Sequence, residues 1–310
     1  MKSMIKVMVM FLGTIFVLTA CGGDSAENNA NENIQIVTSF TILEDIIKEV
    51  GGDQVDVYNL VPTGTDPHDY EPLPDDIKKA TDADALVYNG LNLEGGENGW
   101  FYKMIDTVDQ EENHIFQLAD GVDPMYLTPE DEREEAINPH AFVDPEVGIL
   151  MTENARDALI EVDPDHEAEY KQNAEDYLYK LNAIDKEYEE KINDIPEDNR
   201  MLVTSERAFQ YMTDHYGLEE GYIWAIDTEE NGTPEQITSL VNFVEENDVP
   251  ALFVESNVDT RPMETVSDET GVEIAGELYS DEIGEPGEEA ATYLSYLEYN
   301  INKIHDVLAE

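Results

Sequence analysis

Apolar residues recur every three or four positions between Pro164 and Asp194, which is the spacing of one buried helix face. They are Tyr170, Ala174, Tyr177, Leu181, Ile184, Tyr188 and Ile192. The pattern predicts one helix, preceded by Asp163 as a cap and closed by Ile195-Pro196. About thirty residues at about 1.5 Å each give a rod of roughly 45 Å. Such a helix is either an ordinary surface helix or the connection between two lobes, and its flanks favour the second.

Both flanks alternate short strands with amphipathic helices. On the N-terminal side, we predict strands at 34–37, 55–61, 85–89 and 114–119, and helices at 41–50, from 74, at 100–108 and at 145–160. On the C-terminal side, we predict strands at 201–205, 222–226, 251–256 and 272–278, and helices at 207–217, 234–247, 262–269 and 288–308. This alternation predicts parallel sheets covered by helices. We therefore expect an α/β protein with a lobe at 34–162, a connecting helix at 163–196 and a lobe at 197–310.

The first twenty residues have the features of a secretory signal. Lys2 and Lys6 precede the apolar run 7–20, which is too short for a membrane-spanning helix. The run ends in Leu18-Thr19-Ala20-Cys21, which resembles a bacterial lipobox, where the cysteine is lipidated and begins the mature chain. Cys21 is the only cysteine, so no disulfide forms within one chain. The polar residues 21–33 predict a flexible tether. We expect an extracytoplasmic protein anchored to the membrane through Cys21.

The composition is strongly acidic. Of the 310 residues, 72 are acidic and 16 basic, which gives a formal net charge of −56. This charge excludes nucleic acid as a partner, because binding to phosphates requires basic side chains, and it favours cations. Most of the carboxylates are expected to be solvated surface groups. Their density is typical of a protein that works in high salt, where the screening length shrinks to about 3 Å near 1 M.

Four residues are candidates for binding a ligand. The common nucleotide-binding, serine-hydrolase and zincin motifs are absent from the sequence. In open α/β sheets, ligands collect beyond the carboxyl ends of the strands. Histidines or acids follow predicted strands on both sides of the long helix: His68, His140, Glu206 and Asp281. Two imidazoles and two carboxylates suit a divalent first-row metal. Each has an ordinary explanation too, since a lone loop histidine is seldom a ligand and acids are abundant here.

The other four histidines are weaker candidates. His114 opens a predicted edge strand, and His166 lies in an exposed first helical turn. His215 lies near a helix C-terminus, where it can favour the helix dipole, and His305 lies on the terminal helix.

Long stretches of the chain resemble the metal-binding lipoproteins that serve as solute receptors for manganese and zinc ABC importers, especially the manganese-type members. They are PTGTDPHDYEPLPDDIKKATDADALVYNGLNLE, NPHAF, LVTSERAFQYMTDHYG, YIWAIDTEENGTPEQI, LFVESNVDTRPMETVS and the loop around SDEIGEPG. The likeness extends from about Ile34 onward. It implies two (βα)4-type lobes joined by a rigid helix, with His68, His140, Glu206 and Asp281 as metal ligands in the cleft. It further implies Mn²⁺ as the transported ion, an ABC permease with its ATPase as partners, and a receptor that we expect to be a monomer.

The chain departs from this family in two ways. The residue after the ligand Glu is commonly small in this family, but here it is Arg207, which either pairs with an acid near the cleft or points to solvent. The acid content also exceeds what the family leads us to expect. Zinc-type members often have a third histidine in place of Glu206 and a His-rich loop, whereas the loop 125–138 contains no histidine. Zn²⁺ and Fe²⁺ remain alternatives to Mn²⁺.

Two other function classes are compatible with the sequence. A metal-dependent hydrolase would use a similar ligand set with one open position. The ligand loops, however, offer only Asp69 and Glu71 as a spare general base. An adhesin would fit display on the cell surface, but no sequence feature specifies a host partner. We therefore expect a receptor and not an enzyme.

The negative charge generates a prediction about salt. Removing residues 1–20 deletes two lysines and no acids, which leaves 14 basic and 72 acidic residues, a net charge of −58. Repulsion among these charges destabilises the folded state in dilute buffer, and added ions screen it. We expect the melting temperature to rise as NaCl increases from about 0.05 to 2 M. A flat or falling melting temperature would contradict a surface adapted to high salt.

Overall fold

A computed structural model describes residues 33–108, 110–127, 136–226 and 232–310. The N-terminal half consists of β1 (Ile34–Phe40), α1 (Thr41–Gly51), β2 (Val55–Val61), α2 (Pro74–Asp82), β3 (Ala85–Tyr88), α3 (Trp100–Val108), β4 (Ile115–Gln117) and α4 (Pro145–Val162). Its strands form one parallel sheet in the order β2-β1-β3-β4. Because the strands are parallel, their carboxyl ends lie along one edge of the sheet.

The C-terminal half repeats the alternation after α5 (Glu167–Asp194). It consists of β5 (Met201–Glu206), α6 (Gln210–Tyr216), β6 (Glu219–Trp224), α7 (Pro234–Asn247), β7 (Leu252–Glu255), α8 (Arg261–Thr270), β8 (Ile274–Leu278) and α9 (Tyr293–Leu308). β5 pairs with β6 and β7 pairs with β8, both in parallel. β5 lies beside β7, where the Glu255 carboxylate accepts hydrogen bonds from the backbone amides of Ser205 and Glu206. The predicted α/β architecture with parallel sheets and a long helix is confirmed.

Some predicted boundaries were wrong by several residues. The last helix begins at Tyr293 and not at 288, because Thr292 and Ser295 form a reciprocal capping box there. The helix after β5 begins at Gln210 and not at 207, because the Arg207 amide still donates to the Trp224 carbonyl oxygen of β6. In the other direction, β6 starts three residues earlier than predicted.

The long helix α5 connects the two halves. It has 28 residues, about 42 Å, and a 3₁₀ turn at 164–166 precedes it. All seven residues of its predicted apolar face are buried. They pack against α1 and α4 of the N-terminal half and against α9 of the C-terminal half. The Tyr177 hydroxyl donates to Asp45 Oδ2 at 3.2 Å, and the Tyr188 hydroxyl donates to the Leu297 carbonyl oxygen at 2.8 Å. One helix therefore holds elements of both halves.

Several sequence predictions fall outside the described residues. The signal at 1–20, Cys21, the tether up to residue 32 and the acidic loop at 128–135 belong to this group. The segment limits 34–162, 163–196 and 197–310 stay a prediction. Among the helices of the described ranges, none combines the length and apolar character required to cross a bilayer.

Two tyrosines on α5 test the importance of its buried face. Tyr177 is 1% exposed and Tyr179 is 80% exposed, so the same substitution removes the same atoms from the core or from the surface. We expect Tyr177→Ala to lower the free energy of unfolding by about 3–5 kcal/mol. Tyr179→Ala should change it by less than about 0.5 kcal/mol. Urea titration of both variants measures the difference. Equal losses would show that the helix is not held through this face.

Candidate metal centre

His68 lies in the loop between β2 and α2. The His68 amide donates to Asp66 Oδ1 at 2.7 Å, and Trp100 Nε1 donates to the Pro67 carbonyl oxygen at 2.8 Å. A residue before proline is restricted to extended backbone, so the Asp66-Pro67 step is stiff as well. These contacts fix the turn on both sides of the histidine. The His68 side chain is 9% exposed, the most exposed of the four candidates.

His140 is the first residue of a 3₁₀ turn, 140–143, that leads into α4. Its ring is fully buried, and its Nδ1 lies 2.8 Å from Asn138 Oδ1, which also accepts the His140 amide at 3.0 Å. An amide oxygen only accepts hydrogen bonds, so Nδ1 carries the proton in neutral His140. The Nε2 lone pair is then available to a cation. Asn138 therefore fixes both the orientation and the tautomer of this imidazole.

Glu206 is the last residue of β5, and its side chain is fully buried. Its amide donates to Glu255 Oε1 at 2.8 Å, and the Ser205 amide donates to Glu255 Oε2 at 3.2 Å. Burial raises the pKa of Glu255 to about 7. Glu255 thus closes the gap between the ends of β5 and β7 and fixes the backbone from which Glu206 projects.

Asp281 follows β8 in the loop before α9, and it is buried. Its Oδ1 lies 3.1 Å from His140 Nε2, and its Oδ2 lies 3.8 Å from His68 Nε2. Burial alone would raise the pKa of Asp281, but positive charge on the neighbouring His140 and His68 rings, together with hydrogen bonds from His140 and the Asn257 amide, outweighs this effect and lowers it. A divalent cation held between neutral rings would supply the same positive charge. The ionised carboxylate is therefore the form that this environment favours.

The four candidates meet at one point. One nitrogen or oxygen from each of His68, His140, Glu206 and Asp281 lies within 4.8 Å of the others. The two Nε2 atoms are 3.2 Å apart, and Glu206 Oε1 lies 3.8 Å from His140 Nε2. Two neutral imidazoles and two carboxylates supply two negative charges, which balance one divalent cation. The donor set fits a divalent metal, and each half of the chain contributes two donors.

The remaining histidines and the spare acids lie elsewhere. Asp69 and Glu71 are exposed on the wall of a cavity of about 470 Å³ beside His68, and neither belongs to the donor cluster. Three of the other histidines pair with acids outside the donor cluster, and the fourth precedes a strand. His166 pairs with Asp163, His305 with Asp194 and His215 with Asp144, while His114 precedes the edge strand β4. His215 lies in the last turn of α6, near the helix C-terminus as predicted, and it also pairs with Asp144 of the N-terminal half.

Arg207 pairs with an acid rather than pointing to solvent. Its Nε donates to Glu220 Oε1 at 2.8 Å, and its Nη1 donates to the carbonyl oxygens of Tyr126 and Leu127. The guanidinium also lies 5.2 Å from the centre of the Tyr222 ring. Its backbone carbonyl accepts a hydrogen bond from Asn138 Nδ2 at 2.8 Å. Arg207 therefore connects the two halves without placing its charge among the four candidate donors.

Residues 36–307 match the model of the ZnuA family, described as the periplasmic zinc-uptake complex component A. The chain belongs to this family. It is 44% identical over 302 residues to the metal ABC transporter substrate-binding lipoprotein SsaB of Streptococcus sanguinis, covering 97% of each chain. It is 42% identical over 311 residues to the manganese ABC transporter substrate-binding lipoprotein PsaA of Streptococcus anginosus, covering 100% of each.

A solved structure with the same fold is a mutant of the Mn-bound periplasmic metal-binding protein of Candidatus Liberibacter asiaticus. Its TM-score is 0.81 at 28% sequence identity, over 89% of this chain and 100% of that one. The likeness therefore extends across both halves and the cluster between them.

Asn138 provides a test of the metal centre that leaves all four donors in place. Loss of a group that orients a ligand typically costs about 10- to 100-fold in metal affinity, so we expect Asn138→Ala to weaken Mn²⁺ binding by that factor. Asn154→Ala is the matched control, because Asn154 Nδ2 bonds only the Leu118 and Asp120 carbonyl oxygens. Isothermal titration with Mn²⁺ measures both variants. Equal affinities would show that Asn138 does not orient His140 for binding.

Proposed function

We propose that this protein is the extracytoplasmic receptor of an ABC importer and that it captures Mn²⁺ through His68, His140, Glu206 and Asp281. The observation that carries the proposal is the buried cluster of two imidazoles and two carboxylates within 4.8 Å. The chain's membership of a metal-uptake family and its likeness to manganese-transporting lipoproteins support the same function. The receptor binds the ion and gives it to a membrane permease, which works with an ATPase. No chemical transformation of the ion is involved.

The donor set favours manganese over zinc through geometry. Zinc exceeds manganese in intrinsic affinity at most nitrogen and oxygen sites, so a preference for manganese has to come from coordination number. A carboxylate binds through one oxygen or two, whereas an imidazole contributes only one nitrogen. Glu206 and Asp281 together allow more than the four donors that zinc prefers.

Release of the ion requires the donors to separate, and hydrogen bonds between the two halves oppose this separation. On one side, the Gly64 amide donates to the Glu282 carboxylate, and Thr63 Oγ1 donates to the Ile283 carbonyl oxygen at 3.2 Å. On the other side, Asn138 Nδ2 donates to the Arg207 carbonyl oxygen and to Gln210 Oε1. We propose that docking on the permease breaks one or both sets of contacts, which separates the donors and exposes the ion.

The position of the receptor in the cell belongs to the same proposal. Residues 1–20 direct export, Cys21 carries the lipid, and residues 21–33 tether the folded part to the outer face of the cell membrane. Residues 34–162 and 197–310 form the two metal-binding lobes, and 163–196 connect them. The receptor acts as a monomer. The lipobox-like sequence and the likeness to proteins named as lipoproteins support this arrangement.

Metal analysis of protein purified without added metal, followed by competition between Mn²⁺, Zn²⁺ and Fe²⁺, tests the proposed function. We expect one divalent ion per chain and loss of that ion in His140→Ala. If the protein did not bind a divalent ion stoichiometrically, the proposed receptor function would be wrong. An esterase and phosphatase screen of metal-loaded protein tests the alternative hypothesis of a metal-dependent hydrolase. Turnover in the wild type that disappears in His68→Ala would support that hypothesis.

Glu206 tests the manganese preference directly. We expect Glu206→His to shift the balance toward zinc, because a third imidazole cannot provide a second donor atom. Glu206→Ala should weaken manganese binding without increasing the affinity for zinc. Since loss of an outer partner already costs about 10- to 100-fold, loss of this ligand should cost at least as much. Titration of both metals into wild type and both variants measures these changes. If the ratio of manganese to zinc affinity were unchanged in Glu206→His, Glu206 would not be the ligand that determines metal selectivity.

A further inference from the structure

Asn257 contacts the Asp281 carboxylate from outside the donor cluster. It lies two residues beyond the end of β7, and its Nδ2 donates to Asp281 Oδ2 at 3.2 Å. Ser280 Oγ donates to Asn257 Oδ1, also at 3.2 Å. The Ser280 contact uses the amide oxygen, so the amide nitrogen is directed at Asp281. The side chain of Asn257 is therefore held in one orientation.

This contact fixes the rotation of the Asp281 carboxylate. With Oδ2 held by Asn257, Oδ1 lies 3.1 Å from His140 Nε2 and Oδ2 lies 3.8 Å from His68 Nε2. Each carboxylate oxygen thus faces a different imidazole of the cluster. A carboxylate in this orientation presents both oxygens to a cation between the rings. A rotation about the bond to the carboxylate carbon would turn one oxygen away.

The neighbours of Asn257 have different partners, so its contact is specific. Glu255 holds the Glu206 and Ser205 amides, and Ser256 Oγ donates to Glu282 Oε1 at 3.3 Å. Three consecutive residues at the end of β7 and just beyond it therefore hold three different groups. Only Asn257 reaches the Asp281 carboxylate among them.

We infer that Asn257 is a positioning residue that determines metal specificity by holding both Asp281 oxygens toward the ion. The inference rests on the proposed function and deepens it. Without the Asn257 donor, the carboxylate rotates and offers one oxygen, which lowers the number of donors. Zinc tolerates four donors, whereas manganese gains from a higher coordination number. Loss of the Asn257 side chain therefore weakens manganese binding more than zinc binding.

Two variants of Asn257 separate hydrogen bonding from packing. Asn257→Ala removes the side chain, and Asn257→Leu replaces it with a group of similar size that cannot donate. Asn257 is only partly buried, so both variants should fold. Ser256→Ala is the matched control, since it removes a hydrogen bond from the same segment but leaves the Asp281 contact intact. Melting curves of the metal-free proteins verify that all three variants are folded.

The measurements are the dissociation constants for Mn²⁺ and Zn²⁺ and the number of oxygen and nitrogen neighbours of bound Mn²⁺ from X-ray absorption. We expect both Asn257 variants to weaken Mn²⁺ binding about tenfold or more, within the range for outer-shell partners. Zinc affinity should change by less than about threefold, and the coordination number of manganese should fall. If Asn257 contributed only to stability, its substitution would change neither the ratio of manganese to zinc affinity nor the coordination number of manganese.

Two outcomes would overturn the inference. In the first, the manganese-to-zinc ratio and the coordination number stay at wild-type values in Asn257→Ala and Asn257→Leu. In the second, Ser256→Ala shifts the ratio as much as the Asn257 variants do, which would assign the effect to general loosening of the segment. In both cases wild type still binds manganese and His140→Ala does not, so the receptor function stands. Failure of wild type to bind a divalent ion would overturn the proposed function itself.

Discussion

Two carboxylates and two imidazoles meet away from water between the halves of this protein, and the cost of that burial constrains everything around them. Glu206 and Asp281 lose their hydration, which is unfavourable unless a cation or hydrogen bonds replace it. The basic residue next in sequence to Glu206 does not supply this charge, because Arg207 is engaged by Glu220 and by the Tyr126 and Leu127 carbonyl oxygens. In the proposed receptor, a bound divalent cation would supply the positive charge that balances both carboxylates.

The groups that hold the donors in place are uncharged or acidic. Asn138 orients His140, Asn257 orients Asp281, and the Glu255 carboxylate holds the backbone of Glu206. A lysine or arginine in these positions would compete with the ion for the carboxylates. Amide groups orient a ligand without neutralising it. These contacts therefore fix the orientation of the donor side chains and leave the negative charge of the carboxylates available to a divalent cation.

Much of this arrangement could be predicted from the sequence, because it follows from local patterns. The seven apolar positions of α5 have a helical period, and all of them are buried. The four candidate donors lie at or beyond the carboxyl ends of strands, and parallel strands bring these ends together. The partners of Arg207 and His215 could not be predicted, because Glu220 and Asp144 come from elements that only the tertiary fold brings near. Asn138 and Asn257 were missed for a related reason: asparagines in loops are common, and their importance depends on which oxygen or nitrogen they face.

The packing of α5 limits how the donors can separate. One continuous core includes residues of β1, α1 and α4 together with residues of α5 and α9, so a wholesale separation of the halves would expose apolar surface along the helix. The hydrogen bonds near the metal donors involve far less apolar area, since they join Gly64 to Glu282 and Asn138 to Gln210. Breaking them costs less than opening the core. The movement that releases the ion is therefore expected in the loops that carry the donors, with α5 and its packed tyrosines remaining fixed.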